Sequence, residues 1–141
     1  MTIIRQYNEK DREQVIQLWE ICKLTRSWND PKKDLDRKKG IGENLFIVLE
    51  HENKIIGTVM GGYDGHRGIM NYLAVNPNFG GNGYGKMLVE AIENKLKKLG
   101  CPKVNLLVRT DNIEVINFYE GIKYRKQDDV VVLGKRLISD E

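Results

Sequence analysis

A loop that is almost free of side chains is the most constraining feature of this sequence. Residues 80–85 read Gly-Gly-Asn-Gly-Tyr-Gly, and they lie between a strand-like run, residues 69–75, and the apolar pattern of a helix. At such a junction successive backbone NH groups can point outward, and the helix dipole adds partial positive charge. Without Cβ atoms the loop also lets a phosphate group approach closely. It is therefore either a phosphate site or a flexible turn.

Length and composition predict one globular domain, residues 1–141. The chain has 141 residues, of which 40% are apolar and 30% are charged. A chain of this length buries a sizeable core without disulfides or metals. No apolar run approaches the roughly 20 residues of a membrane span, and residues 1–8 lack the apolar core of a signal peptide. We therefore expect a cytoplasmic protein that does not bind membranes.

Charge and metal-ligand spacing argue against two further classes of function. Cys22 and Cys101 form no CxxC or HxxxH pattern with His51 and His66, so we expect reduced thiols and no metal site. The formal net charge is only +3, and the densest basic stretch, residues 32–39, is diluted by acids. Such a stretch is typical of a solvated helix face, so we expect no nucleic-acid partner.

Periodicity predicts the order strand, helix, three strands, helix, strand, helix and two strands. The strands are expected at residues 2–7, 45–50, 54–62, 69–75, 104–108, 123–126 and 130–138. The first helix should start at Asp11, with Gln14 completing a capping box, and Trp19 lies on its apolar stripe. Asp111 and Glu114 repeat that spacing before the last helix. Residues 32–39 are a possible extra helix.

Two nucleotide-binding motifs fail at the glycine loop. Gly80, Gly85 and Lys86 have the spacing of a Walker A motif, but Met87 stands where a Ser or Thr hydroxyl must bind Mg²⁺. The dinucleotide fingerprint would require a third glycine at Lys86, and the preceding strands are predicted to form hairpins instead of a βαβ unit. A phosphate ligand of another kind is needed.

The chain resembles the GNAT superfamily of N-acetyltransferases. The acyl-CoA motif of that superfamily is Gln or Arg, two residues, Gly, one residue, and Gly or Ala, and Gly83 and Gly85 fill its last two places. Two positions depart from the family pattern. Gly80 occupies the Gln/Arg place, and Lys123 stands where a glycine commonly precedes the final aromatic. Further matches to the pattern are residues 73–77, Asn112, Phe118, Tyr119 and Tyr124.

The resemblance implies an α/β fold with a mixed, mostly antiparallel seven-stranded sheet, splayed at its centre and flanked by about four helices. It also implies acetyl-CoA as co-substrate, with no metal. Backbone groups of Leu73, Ala74 and Val75 would align the thioester and stabilise an oxyanion. The implied acetyl-CoA contacts further along the chain are Gly80, Gly81, Asn82, Gly83, Tyr84, Gly85, Lys86 and Asn112.

The resemblance implies Tyr119 as the general acid that protonates the departing thiolate. The base is open, because Ile69 stands at the place of the glutamate found in histone-acetylating relatives. Asp64 or His66 is the nearest ionisable candidate, Asp30 is a more distant one, and water relay is equally compatible. The acceptor side is expected at Trp28, Asp30, Tyr63 and Asp64.

We therefore expect a bacterial N-acetyltransferase that moves acetyl from acetyl-CoA directly to a primary amine in a ternary complex. The acceptor is a small molecule or a peptide, and the enzyme is a monomer or a homodimer. The missing glutamate and the glycine at position 80 keep one alternative open, a GNAT-like module that binds or senses acyl-CoA without catalysis. Thiol release separates the two.

Overall fold

Five strands and four helices form the regular structure of residues 1–141, all of which the computed structural model describes. The strands are β1 (Thr2–Gln6), β2 (Phe46–His51), β3 (Lys54–Tyr63), β4 (Gly68–Val75) and β5 (Val104–Asn105). The helices are α1 (Arg12–Ile21), α2 (Pro31–Lys38), α3 (Tyr84–Lys98) and α4 (Ile113–Gly121). None of them combines the length and the apolar character that a membrane crossing requires.

The chain divides into two compact units. Residues 1–106 together with residues 140–141 form the first unit, which contains the whole sheet and helices α1 to α3. Residues 107–139 form the second unit, in which α4 is the regular element. The extra helix expected in the charged stretch exists as α2, where Asp30 Oδ1 caps the first turn by accepting from Lys32 N at 2.8 Å.

The sheet has the order β1-β2-β3-β4-β5, and every neighbouring pair except the last is antiparallel. Strand β5 runs parallel to β4 and pairs with it at two positions, Gly68 with Val104 and Ile69 with Asn105. The hairpin between β2 and β3 turns through Glu52 and Asn53, which both have left-handed φ angles. The expected mixed, mostly antiparallel sheet is thus confirmed, with five strands instead of seven.

Both faces of the sheet are covered within the first unit. On one face the fully buried Trp19 of α1 packs with Phe46, Val48 and Met60, so the prediction that Trp19 belongs to the core is confirmed. Side chains alternate along a strand, so the buried Ile47 and Leu49 point to the opposite face. There α3 approaches closely, because a Cβ at Gly57 or Gly61 would lie under 3 Å from Leu88 or Ile92.

The strands expected near the C-terminus are absent. Residues 123–126 and 130–138 have no strand structure, and β5 covers only two residues of the expected 104–108. Val130, Val131, Val132 and Leu133 are all exposed, with Leu133 91% accessible. A run of β-branched residues becomes a strand only where another strand supplies hydrogen bonds, and the second unit contains none.

Two helix starts differ from the expected capping boxes. The capping box before α1 is centred one turn earlier, since Asn8 Oδ1 accepts from Lys10 N and Asp11 Oδ2 accepts from Asn8 N at 2.9 Å. The carboxylate of Asp11 also binds Arg5 in a bidentate pair at 2.8 and 2.9 Å. At α4 the cap is Asn112, whose Oδ1 accepts from Val115 N, instead of Asp111. In each case the cap is an asparagine, a residue type that is strongly preferred at this position.

Candidate active site

One edge of β4 is left without a strand beside most of its length. Strand β5 pairs only with Gly68 and Ile69, so residues 70–75 have no partner strand on that edge. Asn76 N donates to Ile56 O at 2.8 Å on the β3 side. Because NH groups alternate between the two edges of a regular strand, that of Val75 faces the open edge. An extended ligand can bind there as a strand would.

A β-bulge lies two residues before Val75. Thr58 pairs with Ala74 and Met60 with Asn71, so two residues of β4, Tyr72 and Leu73, stand opposite one residue of β3. Tyr72 is in the left-handed region with φ 52°. A bulge redirects the side chains and NH groups that follow it. The bulge therefore interrupts the regular pairing of β4 within the stretch from which backbone contacts to the thioester are expected.

The glycine loop leads into α3 as the sequence predicts. Gly81 and Gly83 have φ angles of 79° and 75°, and a Cβ at either position would meet nothing within 4 Å. The first hydrogen bond of the helix runs from Met87 N to Gly83 O, and no side chain caps the helix. The NH groups of residues 84–86 are therefore available to an anion at the positive end of the helix dipole.

Side chains around the glycine loop hold its shape. Asn82 Nδ2 donates to Phe79 O at 2.9 Å and to Gly80 O at 3.4 Å. The ring of His51 lies 5.4 Å from the ring of Phe79 and 6.5 Å from that of Tyr84, and its Nδ1 contacts Thr2 Oγ1 at 2.9 Å. Sequence reasoning missed His51, because nothing local relates the β2–β3 turn to a loop 30 residues later.

Two exposed residues at the glycine loop, Gly80 and Lys86, determine how much positive side-chain charge it carries. Lys86 is exposed and its Nζ lies 3.8 Å from Glu90 Oε1, a distance at which a surface ion pair contributes little. Gly80 has an extended backbone, with φ −64° and ψ 153°, which any residue can adopt. The glycine there is therefore not required by the backbone, and a longer side chain fits the same fold.

In the second unit, Tyr119 lies on α4 and is 7% exposed. Its ring makes edge contacts with Phe118 at 5.1 Å and with Tyr124 at 5.4 Å. Burial raises the pKa of Tyr119 to about 12, so the phenol is protonated at neutral pH. Asn112, the other expected contact in this unit, is the N-cap of the same helix. Tyr119 has the protonation state that a general acid needs.

The two expected base candidates lie at the far end of β4. Asp64 and His66 belong to the β3–β4 turn before Gly68, and five residues at about 3.3 Å each separate Gly68 from Leu73. Asp64 Oδ1 accepts from the backbone NH groups of His66 and Arg67, both at 2.7 Å. These bonds favour the carboxylate and lower the pKa of Asp64. Tyr63 makes only a long contact to Gly100 O at 3.5 Å.

The remaining acceptor candidates lie between α1 and α2. Trp28 is 45% exposed, in a short turn closed by a bridge between Arg26 and Asn29. Asp30 caps α2. Around this segment the structure joins groups that sequence reasoning did not connect: Asn29 and Asp34 bind the hydroxyl of Tyr72. No sequence signal could have joined them, because Asp34 lies within a charged helix and Tyr72 within a strand.

The side chains form no cluster of three or more His, Cys, Asp or Glu residues able to hold a metal ion. Cys22 and Cys101 are free thiols. Cys22 Sγ lies 3.4 Å from Val75 O, and burial raises the pKa of the thiol. Cys22 therefore acts as a weak hydrogen-bond donor beside the open edge of β4.

Comparison with known proteins identifies relatives along nearly the whole chain. The sequence model of the Acetyltransferase (GNAT) family matches residues 12–123. An acetyltransferase of Sodalis glossinidius (strain morsitans) is 49% identical over 138 residues, which are 98% of this chain and 97% of that protein. An uncharacterized N-acetyltransferase of Yersinia pestis is 49% identical with the same coverage.

Solved structures share the fold. The Ard1 protein of Thermoplasma volcanium has a TM-score of 0.78 and 27% identity, and the match covers 86% of this chain and 81% of that one. The ribosomal-protein-S18-alanine N-acetyltransferase of Escherichia coli has a TM-score of 0.75 and 19% identity, covering 90% and 79%. At that lower identity the likeness concerns the fold alone.

Proposed function

Because this chain belongs to the GNAT family of acetyltransferases and is an N-acetyltransferase, we propose that it moves acetyl from acetyl-CoA directly to a primary amine in a ternary complex. The acceptor is a small molecule or a peptide, and the enzyme acts as a monomer or a homodimer. The observation that carries this proposal is the open edge of β4 after the Tyr72 bulge, followed by the uncapped start of α3. Together they offer a strand-like site and an anion site in one stretch of chain.

Acetyl-CoA would contact two parts of this stretch. The backbone of residues 73–75 would align the pantetheine arm along the open edge, and an NH group there would stabilise the oxyanion of the tetrahedral intermediate. The diphosphate would bind the NH groups that begin α3, since the left-handed Gly81 and Gly83 keep the approach clear of Cβ atoms. Lys86 would add positive charge nearby.

Tyr119 is our proposal for the general acid. Its phenol is protonated at neutral pH, as an unperturbed tyrosine already is, so it has a proton to give to the departing thiolate. The residues that the sequence suggested as the general base fit that role less well. The Asp64 carboxylate is hydrogen-bonded within its own turn, and both Asp64 and His66 lie at the opposite end of β4 from Leu73. Both are therefore weak candidates for the base.

Within the family, four segments resemble the small bacterial GNAT protein YpeA. They are residues 28–31, 57–68, 100–103 and 133–138. We propose a relationship to that protein on this resemblance, which concerns membership of the family and leaves the acceptor open. We propose the acceptor side at Trp28, Asp30, Tyr63 and Asp64, whose mixed charges do not select between acceptor amines.

A competing proposal is a module that binds acyl-CoA without catalysis, favoured by Gly80 in the Gln/Arg place and Ile69 in the glutamate place. Thiol release from acetyl-CoA, measured against a panel of small-molecule and peptide amines, separates the two. We expect amine-dependent thiol release and a matching acetylated product. Thermal stabilisation by acetyl-CoA with no thiol release from any amine would favour the binding module, and neither effect would contradict both proposals.

A further inference from the structure

A polar cluster beside the open edge of β4 has no role in the fold or mechanism described so far. It consists of Tyr72 on β4, Asn29 in the loop before α2, and Asp34 on α2. The Tyr72 hydroxyl lies 2.7 Å from Asp34 Oδ2 and 2.6 Å from Asn29 Nδ2. Asn29 Nδ2 also donates to Asp34 Oδ2 at 2.8 Å. We call these three residues the Tyr72 cluster.

The ring of Tyr72 is held in place from one side. It stacks on the buried Trp19, with ring centroids 3.7 Å apart and an interplanar angle of 13°. Its backbone belongs to the bulge formed by Tyr72 and Leu73, so the cluster and the open edge at Val75 are parts of one short stretch of chain. The hydroxyl thus belongs to a residue next to those along which we propose the thioester.

Hydrogen-bond capacity shows what the hydroxyl can still do. A tyrosine hydroxyl has one proton to donate and two lone pairs that accept. Tyr72 donates to Asp34, and Asn29 donates to Tyr72, so one lone pair is left. Burial and the bond to Asp34 raise the pKa of Tyr72, which keeps this proton in place at rest. The hydroxyl can therefore accept one further N–H.

The carboxylate of Asp34 is in turn bound by one cation, Arg37, and by the amide of Asn29. Its Oδ1 accepts from Arg37 at 3.2 Å, and Arg37 Nη2 binds Asp140 Oδ1 at 2.6 Å. Lys33 Nζ donates to Asp140 O at 3.1 Å. The charged groups around the cluster are thus two carboxylates, Asp34 and Asp140, and two cations, Arg37 and Lys33. Asp34 is the carboxylate that contacts Tyr72.

We propose that the Tyr72 hydroxyl binds the nitrogen of the acceptor amine and passes its proton to Asp34, a step that rests on the proposed transfer of acetyl to an amine. Tyr72 contacts the substrate directly. Asp34 acts through Tyr72, and Asn29 orients the hydroxyl between them. This gives the enzyme a proton acceptor next to Leu73 on β4, in a chain where Ile69 occupies the family's glutamate position.

The protons and bonds balance without another reagent. The acceptor enters as an ammonium and gives one proton to the Tyr72 oxygen, while Tyr72 gives its own proton to Asp34. The resulting amine nitrogen forms a bond to the thioester carbon, and the C–S bond then breaks. The acetylated nitrogen loses one proton and the leaving thiolate gains one, so both products are neutral, and Asp34 releases its proton to solvent.

The test compares steady-state kinetics of Tyr72→Phe and Asp34→Asn with matched controls. Tyr72→Phe keeps the ring on Trp19, and Asp34→Asn keeps the shape and removes the charge. We expect kcat/KM for the amine to fall about 100-fold in each variant, as for loss of a general base, while KM for acetyl-CoA changes less than about twofold. Tyr7→Phe removes a hydroxyl elsewhere on the same face of the sheet, and Asp36→Asn removes a carboxylate elsewhere on α2. Both control variants should behave as the wild type.

Binding gives a second readout that does not need turnover. Isothermal titration calorimetry of the wild type with an amine in the presence of CoA measures this binding without altering Trp28. We expect saturable binding whose affinity Asp34→Asn and Tyr72→Phe both weaken at least about tenfold. Variants with wild-type kcat/KM would overturn the role of the cluster in an active enzyme. If no amine is acetylated by the wild type, the proposed function fails, and unchanged amine binding in both variants would then overturn the site as well.

Discussion

Trp19 and Tyr72 stack with ring centroids 3.7 Å apart, and Thr58 joins them a second time. Trp19 Nε1 donates to Thr58 Oγ1 at 2.9 Å, and Thr58 Oγ1 donates to Tyr72 O at 2.8 Å. The fully buried hydroxyl of Thr58 therefore connects α1 to the bulge of β4. The left-handed backbone of Tyr72, which is unfavourable for a residue with a Cβ, is held by this closed set of contacts.

Replacing Thr58 with Val should destabilise the protein although the volume hardly changes. The substitution leaves Trp19 Nε1 and Tyr72 O without their partner in a buried place, which costs about 1–3 kcal/mol in free energy of unfolding. Urea denaturation measures that loss. Thr110→Val, at an exposed position, is the control and should stay within about 0.5 kcal/mol of the wild type. Equal stability of the two variants would contradict the bridging role of Thr58.

Tyr119→Phe tests the general acid. The variant keeps the buried ring and its contacts with Phe118 and Tyr124 but has no proton to give to the thiolate. We expect kcat to fall about 100-fold and the dissociation constant for acetyl-CoA to change less than about twofold. Thiol release and calorimetric titration measure the two quantities. Wild-type turnover in Tyr119→Phe would remove this residue from the mechanism.

Gly80→Arg should strengthen acetyl-CoA binding. The backbone at position 80 is extended, and a Cβ there would make only an ordinary contact, 3.4 Å from Pro77 O. An added guanidinium near the diphosphate contributes about 1.5 kcal/mol or more, which is roughly a tenfold lower dissociation constant. Gly81→Ala is the opposite case, since its left-handed backbone disfavours a side chain, and it should weaken binding. Unchanged affinity in Gly80→Arg would place the diphosphate elsewhere.

Lys123→Gly should stabilise the second unit. Lys123 has φ 79°, a conformation that costs a residue with a Cβ about 1 kcal/mol and that glycine adopts freely. The gain is partly offset because glycine makes the unfolded chain more flexible. The midpoint of thermal unfolding should be higher in Lys123→Gly than in the wild type. The control Lys126→Gly, three residues further on, should show no such increase. A lower midpoint for Lys123→Gly would mean that the lysine side chain stabilises this turn.

Because of Asp140, the stability of the folded protein should depend on pH in the acid range. Its bonds to Arg37 and to Asp30 N lower the pKa of Asp140 from 3.8 to about 2. A lowered pKa means that the carboxylate stabilises the fold above pH 3.8, and that this stabilisation disappears as the pH falls through the range from 3.8 to about 2. Asp140→Asn should therefore lower the melting temperature at pH 7, and the difference from wild type should shrink towards pH 2. A constant difference would exclude this linkage.

Several elements were predictable because they depend on local chemistry. The glycine loop predicted a strand-to-helix junction, and Gly81 and Gly83 do adopt left-handed angles there. The apolar stripe predicted Trp19 in the core, and it is fully buried. Both follow from backbone sterics and helical periodicity, which act over a few residues.

Other expectations failed where a partner far along the chain was needed. Residues 130–133 have the composition of a strand, yet they are exposed because their unit offers no strand to pair with. The capping box before α1 differs for another reason, since the carboxylate of Asp11 binds Asn8 N and Arg5 of β1, and the spacing of Asp11 and Gln14 does not show these contacts.

The sequence by itself determined the family, the order of the elements through α3, and the loop that starts α3, because these depend on short-range patterns and on a motif. Only the tertiary structure decided where β4 is left open, how its bulge turns Tyr72, and that Asp34, 38 residues away, meets the Tyr72 hydroxyl. Strand pairing and packing between distant segments set these features. The candidate proton acceptor therefore emerges from the folded chain and has no counterpart in any local motif.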